Sequence, residues 1–530
     1  MAYIVAIAAA VVAAIGPSGD FPLSDDWSYA YAARELCTTG QLRLLPWTGA
    51  SVVLQAAYGA ALCSVGGFSF ELLRASTLVL AITGAIGFTL WLQTLGIRGL
   101  ALGLAVVLLA LNPLYVNLAF TFMTDVPTTV AAIWAAYFYS RGLTERRGGL
   151  VLTGSLFAAA ALLIRQHGIF VAGAASAAAL LAADRSWRER IQTAATALAL
   201  PATAFIAFHV WLLVLQRPPE AMTLKIGEAG QVTVLGLINC AFRGLMYLGV
   251  FTAPLLIGFR HPLHAYHPRL LRCGYALASA LAIALFVRER TLMWYLTNVI
   301  YDFGLGALSL RDTQILALVP VRTLGLALSL PLTGLAIVAV GRGAATYGTG
   351  FRRLRDPAIA FAVLATGFLF AGTLVHTRYY FDRYLLIVLP FAIATLLTLR
   401  PLPTIRPLSL ALAAVLCWYA VAGTHDYMAW NRARFEGLAA LEASGVSASS
   451  IDGGFEYNAW RFAPSGYPGP SNEAARPGQP QSVRSWWWVD DDRFLLSFRP
   501  LSGYEVHRRL PFQRWLFPGT GQVFILKRLK

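Results

Sequence analysis

Apolar runs long enough to cross a bilayer, most of them free of charge, dominate this sequence and decide its fold class. The hydrocarbon core is about 30 Å thick and a helix rises 1.5 Å per residue, so a span needs about 20 apolar residues. Spans are predicted at roughly 72–95, 100–118, 126–140, 150–164, 168–183, 192–215, 232–258, 273–287, 316–340, 358–375, 384–399 and 407–423, with 1–16 as a shorter first helix. The pieces at 150–164 and 168–183 are short and read as a tight helical pair. Residues 1–16 have neither the basic start nor the small-residue cleavage site of a signal peptide, so they are kept as a helix; a start upstream of Met1 would lengthen it. With 57% hydrophobic and 13% charged residues and a mean hydropathy of +0.61, an ordinary soluble domain is excluded. The short alternating segments of a membrane β-barrel are missing. The expected fold is a polytopic α-helical membrane protein of about 13 transmembrane helices.

Charge gives the orientation. The net charge of +16 is carried almost wholly by arginine. Alternate connections hold Arg98; Arg141, Arg146 and Arg147; Arg185, Arg188 and Arg190; Arg260, Arg269 and Arg272; Arg342, Arg352, Arg353 and Arg355; Arg400 and Arg406. Clustered arginine with few acids marks cytoplasmic loops. An odd number of spans then puts the N-terminus in the cytoplasm and the C-terminal portion outside. The arginines fit anionic headgroups and the positive-inside rule, and no nucleic-acid motif is present. His261, His264 and His267 fall in one of these basic loops, without metal-ligand spacing.

Two segments stand outside the spans. Residues 20–71 form a long first extracytoplasmic loop, within a membrane domain 1–423. Cys37 and Cys63 flank a stretch of it and are candidates for a disulfide in an oxidising compartment. From 424 to 530 the composition becomes that of a small soluble α/β domain. A helix is predicted from Trp430, a short strand at 449–453, a Pro/Gly/Ser/Asn-rich loop at 463–482 and strands near 494–498, 504–508 and 522–527.

Three clusters carry candidate chemistry. Asp25 and Asp26 open an amphipathic stretch through Trp27, Ala30, Tyr31 and Leu36, which predicts a helix lying on the membrane surface. Ser24, Asp25 or Asp26 would serve as its cap; the other reading is a carboxylate base. Asp125 precedes Pro127 at the start of a span, again as cap or as functional membrane-edge carboxylate. Arg165-Gln166-His167 interrupts two apolar runs, so Arg165 reads equally as a snorkelling arginine or a phosphate ligand. In His376-Thr-Arg-Tyr-Tyr-Phe-Asp-Arg-Tyr, Arg378 and Arg383 offer forked donors suited to phosphate. A cation at a helix N-terminus opposes the helix dipole, which favours a ligand for Arg383 over a purely structural role; pairing with Asp382 or Asp26 is the alternative. Trp294, Tyr295 and Tyr301, with Asp302, read as an interfacial belt more readily than as a sugar platform.

Taken together, Asp25-Asp26-Trp-Ser-Tyr-Ala with Ala33-Arg34-Glu35 and Gly40, Phe122-Met-Thr-Asp-Val-Pro, and Arg378 through Asp-Arg-Tyr-Leu to Pro390 resemble the family-39-type glycosyltransferases. These are C-type enzymes that include protein O-mannosyltransferases and lipid A aminoarabinose transferases. The family's first acidic pair is usually Asp-Glu, and a lysine often stands where this chain has Arg165. The resemblance implies a C-type glycosyltransferase fold, a polyprenyl-phosphate sugar donor, and a lipid, glycan or protein acceptor at the outer face of a bacterial inner or plasma membrane. It implies an inverting transfer with Asp25 as base, Asp26 or Asp125 orienting the base or the acceptor, and Arg165, Arg378 and Arg383 on the donor phosphate. Tyr29, Gln166, His167 and Tyr379 are the expected further substrate contacts. No cofactor is required by the motifs, and a divalent cation bridging the carboxylates and phosphate is compatible with them. A transporter or flippase of a lipid-linked sugar or other anionic solute is the rival class. Few ionisable residues at mid-span depth speak against it.

Overall fold

The computed structural model describes residues 2–214, 217–259, 298–301, 304–306, 351–375, 380–399, 403–463 and 492–529, with 280 and 310 singly. The expected spans at 273–287 and 316–340 lie outside the described residues, as do His261, His264, His267, Trp294, Tyr295, Asp302, and the loop from 464. Twelve helices precede residue 257: α1 (Ala2–Ile15), α2 (Asp26–Thr39), α3 (Val53–Gly66), α4 (Phe70–Thr94), α5 (Gly99–Ala110), α6 (Pro113–Ala119), α7 (Asp125–Glu145), α8 (Gly148–Ile164), α9 (Gly168–Leu181), α10 (Trp187–Val214), α11 (Glu220–Ala229) and α12 (Val234–Leu256). Later come α13 (Pro357–Leu374), α14 (Leu389–Leu399), α15 (Pro407–Ala443) and α16 (Phe455–Phe462).

Among the described residues, α4, α10, α12, α13 and α15 are each long and apolar enough to cross a membrane. The expected span at 100–118 is instead a bent pair, α5 and α6, meeting at 50°. Pro113 explains the break, since it cannot donate to a continuing helix, and Asn112 caps α6 by accepting the Leu114 N–H at 3.0 Å. The apolar pieces around 150–164 and 168–183 form α8 and α9, joined by the turn Arg165–His167. The chain is an integral membrane protein built mainly of helices.

The first loop is a folded layer and not a tether. Cys37 of α2 and Cys63 of α3 form a disulfide across a Cα separation of 6.1 Å. Buried Arg74 on α4 donates to the carbonyls of Pro17, Gly19 and Phe21, and fixes the approach to α2. Gln55 donates to the Phe122 carbonyl at 2.6 Å, and the Val52 N–H to the Ile164 carbonyl at 3.0 Å. The loop is thereby fastened to the turns that precede α7 and follow α8. Gly59 allows this approach, because a Cβ there would lie 2.8 Å from the Ala33 side chain.

The C-terminal portion packs on this layer. α15 runs unbroken through the expected boundary at 423/424, so one helix carries apolar residues at its start and a packed polar face at its end. Strands β3 (Ile451–Asp452), β4 (Phe494–Ser497), β5 (Tyr504–Arg514) and β6 (Gly519–Arg528) make a sheet in the order β3-β4-β6-β5. β3 lies parallel to β4, and the other pairs are antiparallel. A hairpin of β1 (Ile300–Tyr301) and β2 (Gly304–Leu305) sits apart from it, giving a small C-terminal sheet domain on a helical membrane body.

Candidate active site

Asp25 and Asp26 are neighbours with opposite fates. Asp26 is fully buried. One oxygen accepts the Leu23 N–H at 2.7 Å and the other the Phe122 N–H at 3.1 Å, so its carboxylate ties the first loop to the second acidic motif. Burial pushes its pKa up from 3.8 to about 7, against the two backbone hydrogen bonds and the nearby Arg74 that pull it down. Asp25 instead turns outward from α2. Its Oδ1 accepts the Trp47 Nε1–H at 3.0 Å and its Oδ2 accepts from Arg383 at 2.9 Å. Its side chain makes no capping bond to the helix it precedes. The capping reading of Asp25 is replaced by an ion pair.

Asp125 repeats the pattern. Neither it nor Thr124 caps α7 through a side chain. Asp125 Oδ1 accepts from buried Arg165, which also reaches Thr124 Oγ1 at 3.3 Å. Arg165 therefore does not snorkel towards headgroups; it is held inward by an acid. The guanidinium carbons of Arg165 and Arg383 lie 5.0 and 5.9 Å from the centre of one ring, Tyr384. Such cation–ring contacts hold guanidinium groups in register while leaving their edges free to donate.

The result is a continuous line, Trp47–Asp25–Arg383–Tyr384–Arg165–Asp125, drawn from four segments distant in sequence. A small cavity is lined by Asp125, Thr128, Arg165, His167, Arg383, Tyr384 and Ile387. Among the described residues, Arg383 Nε and Asp125 Oδ2 are buried there without hydrogen-bond partners. Leaving a buried donor or acceptor unpaired costs about 1–3 kcal/mol, so orphaned groups beside a cavity mark it as shaped for something polar. Among the described residues no three His, Cys, Asp or Glu side chains converge as a metal site.

The remaining sequence-predicted residues distribute unevenly. Tyr29 is buried on α2 within electrostatic range of Asp25, Arg383, Arg165 and Asp125, and burial raises its pKa, so it stays a phenol able to donate. His167 lines the cavity with its ring 6.3 Å from Tyr384, and Gln166 is half-buried in the same turn. Arg378 and Tyr379 lie outside the described residues. Arg383 pairs with neither Asp382 nor Asp26. The Asp382 carboxylate is turned away and accepts the N–H groups of Val299, Ile300 and Arg383, the last two at 2.7 Å. It anchors the hairpin and fixes the backbone from which Arg383 projects.

Three residues escaped the sequence reading. Trp47 sits in an aperiodic loop, where nothing local forecasts its bond to Asp25. Tyr384 follows Arg383 directly in the late motif, where nothing beyond its type sets it apart. Lys225 on α11 donates to the Gly49 carbonyl at 3.0 Å. Tyr384, Arg165, Arg383 and Asp25 lie within electrostatic range of it, and burial lowers its pKa, with the two arginines adding to that. A Cβ at Gly49 would come 2.5 Å from the lysine nitrogen, so a larger residue there would displace the end of the lysine. The signal was available: Lys225 is one of three lysines in an arginine-rich chain and the one away from the C-terminus.

Residues 56–213, which include Asp125, Arg165, Gln166 and His167, match the dolichyl-phosphate-mannose-protein mannosyltransferase family. No curated protein matches the chain. Among solved structures it is similar to ArnT from Cupriavidus metallidurans bound to undecaprenyl phosphate, at 14% identity and a TM-score of 0.36, over 85% of this chain and 81% of that one. It is also similar to the archaeal oligosaccharyltransferase AglB from Archaeoglobus fulgidus in complex with an inhibitory peptide and a dolichol-phosphate, at 11% identity, TM-score 0.37, and coverages of 80% and 55%. The S. cerevisiae protein O-mannosyltransferase Pmt1–Pmt2 complex bound to the sugar donor matches at 14% identity and TM-score 0.31, over 41% of this chain. This chain spans a third (33%) of that yeast chain's length. Of the motifs that carry the resemblance, Phe122–Pro127 lies within the residues that match this family.

Proposed function

We propose that this protein is an inverting membrane glycosyltransferase that moves a sugar from a polyprenyl-phosphate donor to an acceptor hydroxyl. The observation that carries the reading is the pairing of Arg383 with Asp25 and of Arg165 with Asp125 across one tyrosine, beside a cavity with unpaired donor and acceptor atoms. A phosphate entering that cavity would meet Arg165 and Arg383, with Lys225 nearby. As the bond from the sugar's anomeric carbon to the phosphate oxygen breaks, its electron pair passes to the phosphate, and preplaced cations stabilise that charge in a water-poor site. The acceptor oxygen bonds to the anomeric carbon from the opposite face, and its proton passes to Asp25. Trp47 holds the second oxygen of Asp25, which leaves Oδ2 for the acceptor once Arg383 turns to the donor. Asp125 orients Arg165, while Asp26 keeps the loop seated. Tyr29, Gln166 and His167 contact the donor sugar or acceptor; the motif resemblance assigns Arg378 to the donor phosphate and Tyr379 to substrate.

The proposed setting is the outer face of a bacterial inner or plasma membrane, with a cytoplasmic N-terminus and residues 424–530 as an extracytoplasmic domain. Support for this sidedness is the arginine distribution among the loops. The test is single-turnover transfer from radiolabelled polyprenyl-phosphate sugars by the purified full chain with a panel of hydroxyl acceptors. Transfer with inversion at the anomeric carbon supports the reading. Intact donor throughout, in folded protein that carries the same lipid across a proteoliposome bilayer, would replace it with the transporter reading.

A further inference from the structure

The residue immediately before Asp25 has an unusual backbone. Ser24 sits at φ 56°, in the left-handed region that residues other than glycine rarely adopt. Its N–H donates to Glu456 Oε1 at 3.1 Å, a bond spanning 432 positions of sequence. Glu456 is fully buried, and its other oxygen accepts from fully buried Arg434 of α15 at 2.9 Å. Arg434 also donates to the Gly453 carbonyl at 2.8 Å and to Asn431 at 3.1 Å.

The segment bearing Glu456 is built to hold it still. Gly454 takes φ 90°, and a Cβ at Gly453 would lie 2.4 Å from the Tyr457 ring, so both positions require glycine. Asn458 accepts the Gly453 N–H at 3.0 Å and donates to Asp452 at 2.8 Å, closing the turn in front of α16. A second tie runs alongside: Arg432 donates to the Gly16 carbonyl at 2.8 Å, and Phe435 stacks on Phe21 at 4.8 Å. The C-terminal portion thus grips both flanks of residues 16–24.

We propose that Glu456 is a positioning residue for the transfer reaction, acting through Ser24 on Asp25. Its carboxylate divides its two oxygens between the C-terminal portion and the first loop. The bond to Ser24 holds the left-handed turn, and that turn aims Asp25 at Trp47 and Arg383. Released from Glu456, Ser24 relaxes towards the commoner right-handed or extended backbone and carries Asp25 away from both partners. The C-terminal portion is then part of the catalytic geometry without touching substrate. This inference rests on Asp25 being the base.

The experiment compares two double variants of the full chain, R434M/E456Q and R434M/E456L. Both lack the ion pair, and only the first keeps an oxygen for the Ser24 N–H. Hydrogen exchange at the Ser24 amide and single-turnover transfer are read on each. The expected result is Ser24 exchange at least about tenfold faster in R434M/E456L than in R434M/E456Q. Transfer in R434M/E456L should fall about tenfold to a hundredfold, the usual effect of a misplacement near 1 Å, with donor KM within about twofold. Adding S24G, which accepts φ 56° without strain, should restore most of that loss. Equal exchange in the two pairs overturns the Glu456–Ser24 link, and unequal exchange with equal turnover overturns the positioning role. If R434M/E456L does not fold, E456D retains the charge opposite Arg434 but falls one methylene short of Ser24; a turnover loss rescued by S24G supports the proposal, and no loss overturns it. Wild-type protein that transfers no sugar would overturn the reaction reading alone, because the exchange contrast is independent of turnover.

Discussion

Two sets of buried arginine–carboxylate pairs face each other across the first loop, and they are finished differently. Arg434 and Glu456 are each 0% exposed; both Glu456 oxygens are engaged, and the Trp430 and Phe435 rings cover the guanidinium. In the candidate site, Arg383–Asp25 stands at 6% and 16% exposed and Arg165–Asp125 at 9% and 3%, with Asp125 Oδ2 and Arg383 Nε left over beside a cavity. The chemistry is the same, so composition alone cannot tell the two apart. Each set leaves a buried guanidinium nitrogen without a hydrogen-bond partner, Arg434 Nη2 in one and Arg383 Nε in the other. What separates them is the cavity: only the candidate site's spare atoms, Arg383 Nε and Asp125 Oδ2, border space that a polar ligand can enter.

The sharpest break of this comparison comes from neutralising one acid on each side. Asp25→Asn should lower single-turnover transfer by about 10²–10⁴, the usual worth of a general base. Its stability should drop by less than in a variant that strips Glu456 of its arginine, because the amide oxygen can still accept from Arg383, which lines the cavity. Activity within about threefold of wild type would remove Asp25 as base. Arg434→Met should do the reverse in the first instance, costing about 3–5 kcal/mol of stability by removing the cation that faces buried Glu456. Unfolding in denaturant measures this, and a loss under about 1 kcal/mol would place Arg434 with the candidate site's pairs.

The sequence shows one half of this picture well. Runs free of charge identify spans such as α4 and α13, since no other fold tolerates them in bilayer. The acidic pair and the Phe122–Pro127 motif stand out as carboxylates at the membrane edge, and Arg383 as a cation that opposes helix polarity. The partners of those residues were not legible. Arg383 meets Asp25 over 358 positions and Ser24 meets Glu456 over 432, and contacts at that separation leave no periodicity or spacing to read. The bend at Pro113 was readable in principle, but the continuous apolar run around it outweighed a single proline. The β5 strand extends to Arg514, beyond the expected end near 508, because pairing with β6 supplies what alternation after the bulge at Val506/Arg508 does not.

A smaller effect is expected at Lys225. It adds a cation near the paired arginines; among the described residues it bonds the Gly49 carbonyl and pairs with no acid. Lys225→Ala should raise donor KM about tenfold with little change in single-turnover rate, the loss of one charge-assisted bond made equally in ground and transition states. A fall in rate at saturating donor would instead give Lys225 a share in stabilising the departing phosphate.

The smallest expected effect sharpens the contrast between the adjacent aspartates. Asp26 has a native pKa of about 7, against 3.8 for an unperturbed group, with burial the main cause. The folded state therefore holds a proton that the unfolded state has released between those values, and stability falls as pH rises from about 4 through about 7. Above that window the cost is constant, and the two backbone N–H bonds offset part of it. Asp26→Asn keeps an oxygen for one of those N–H groups but cannot ionise. Wild type should thus lose a few degrees more of apparent melting temperature than Asp26→Asn between pH 5 and pH 8. Parallel pH profiles for the two proteins would mean that Asp26 is already ionised across this range, its carboxylate secured by Leu23, Phe122 and Arg74 against burial. That result would make Asp26 a charged anchor, and would leave the contrast between the two sets to Asp25 and Asp125 alone.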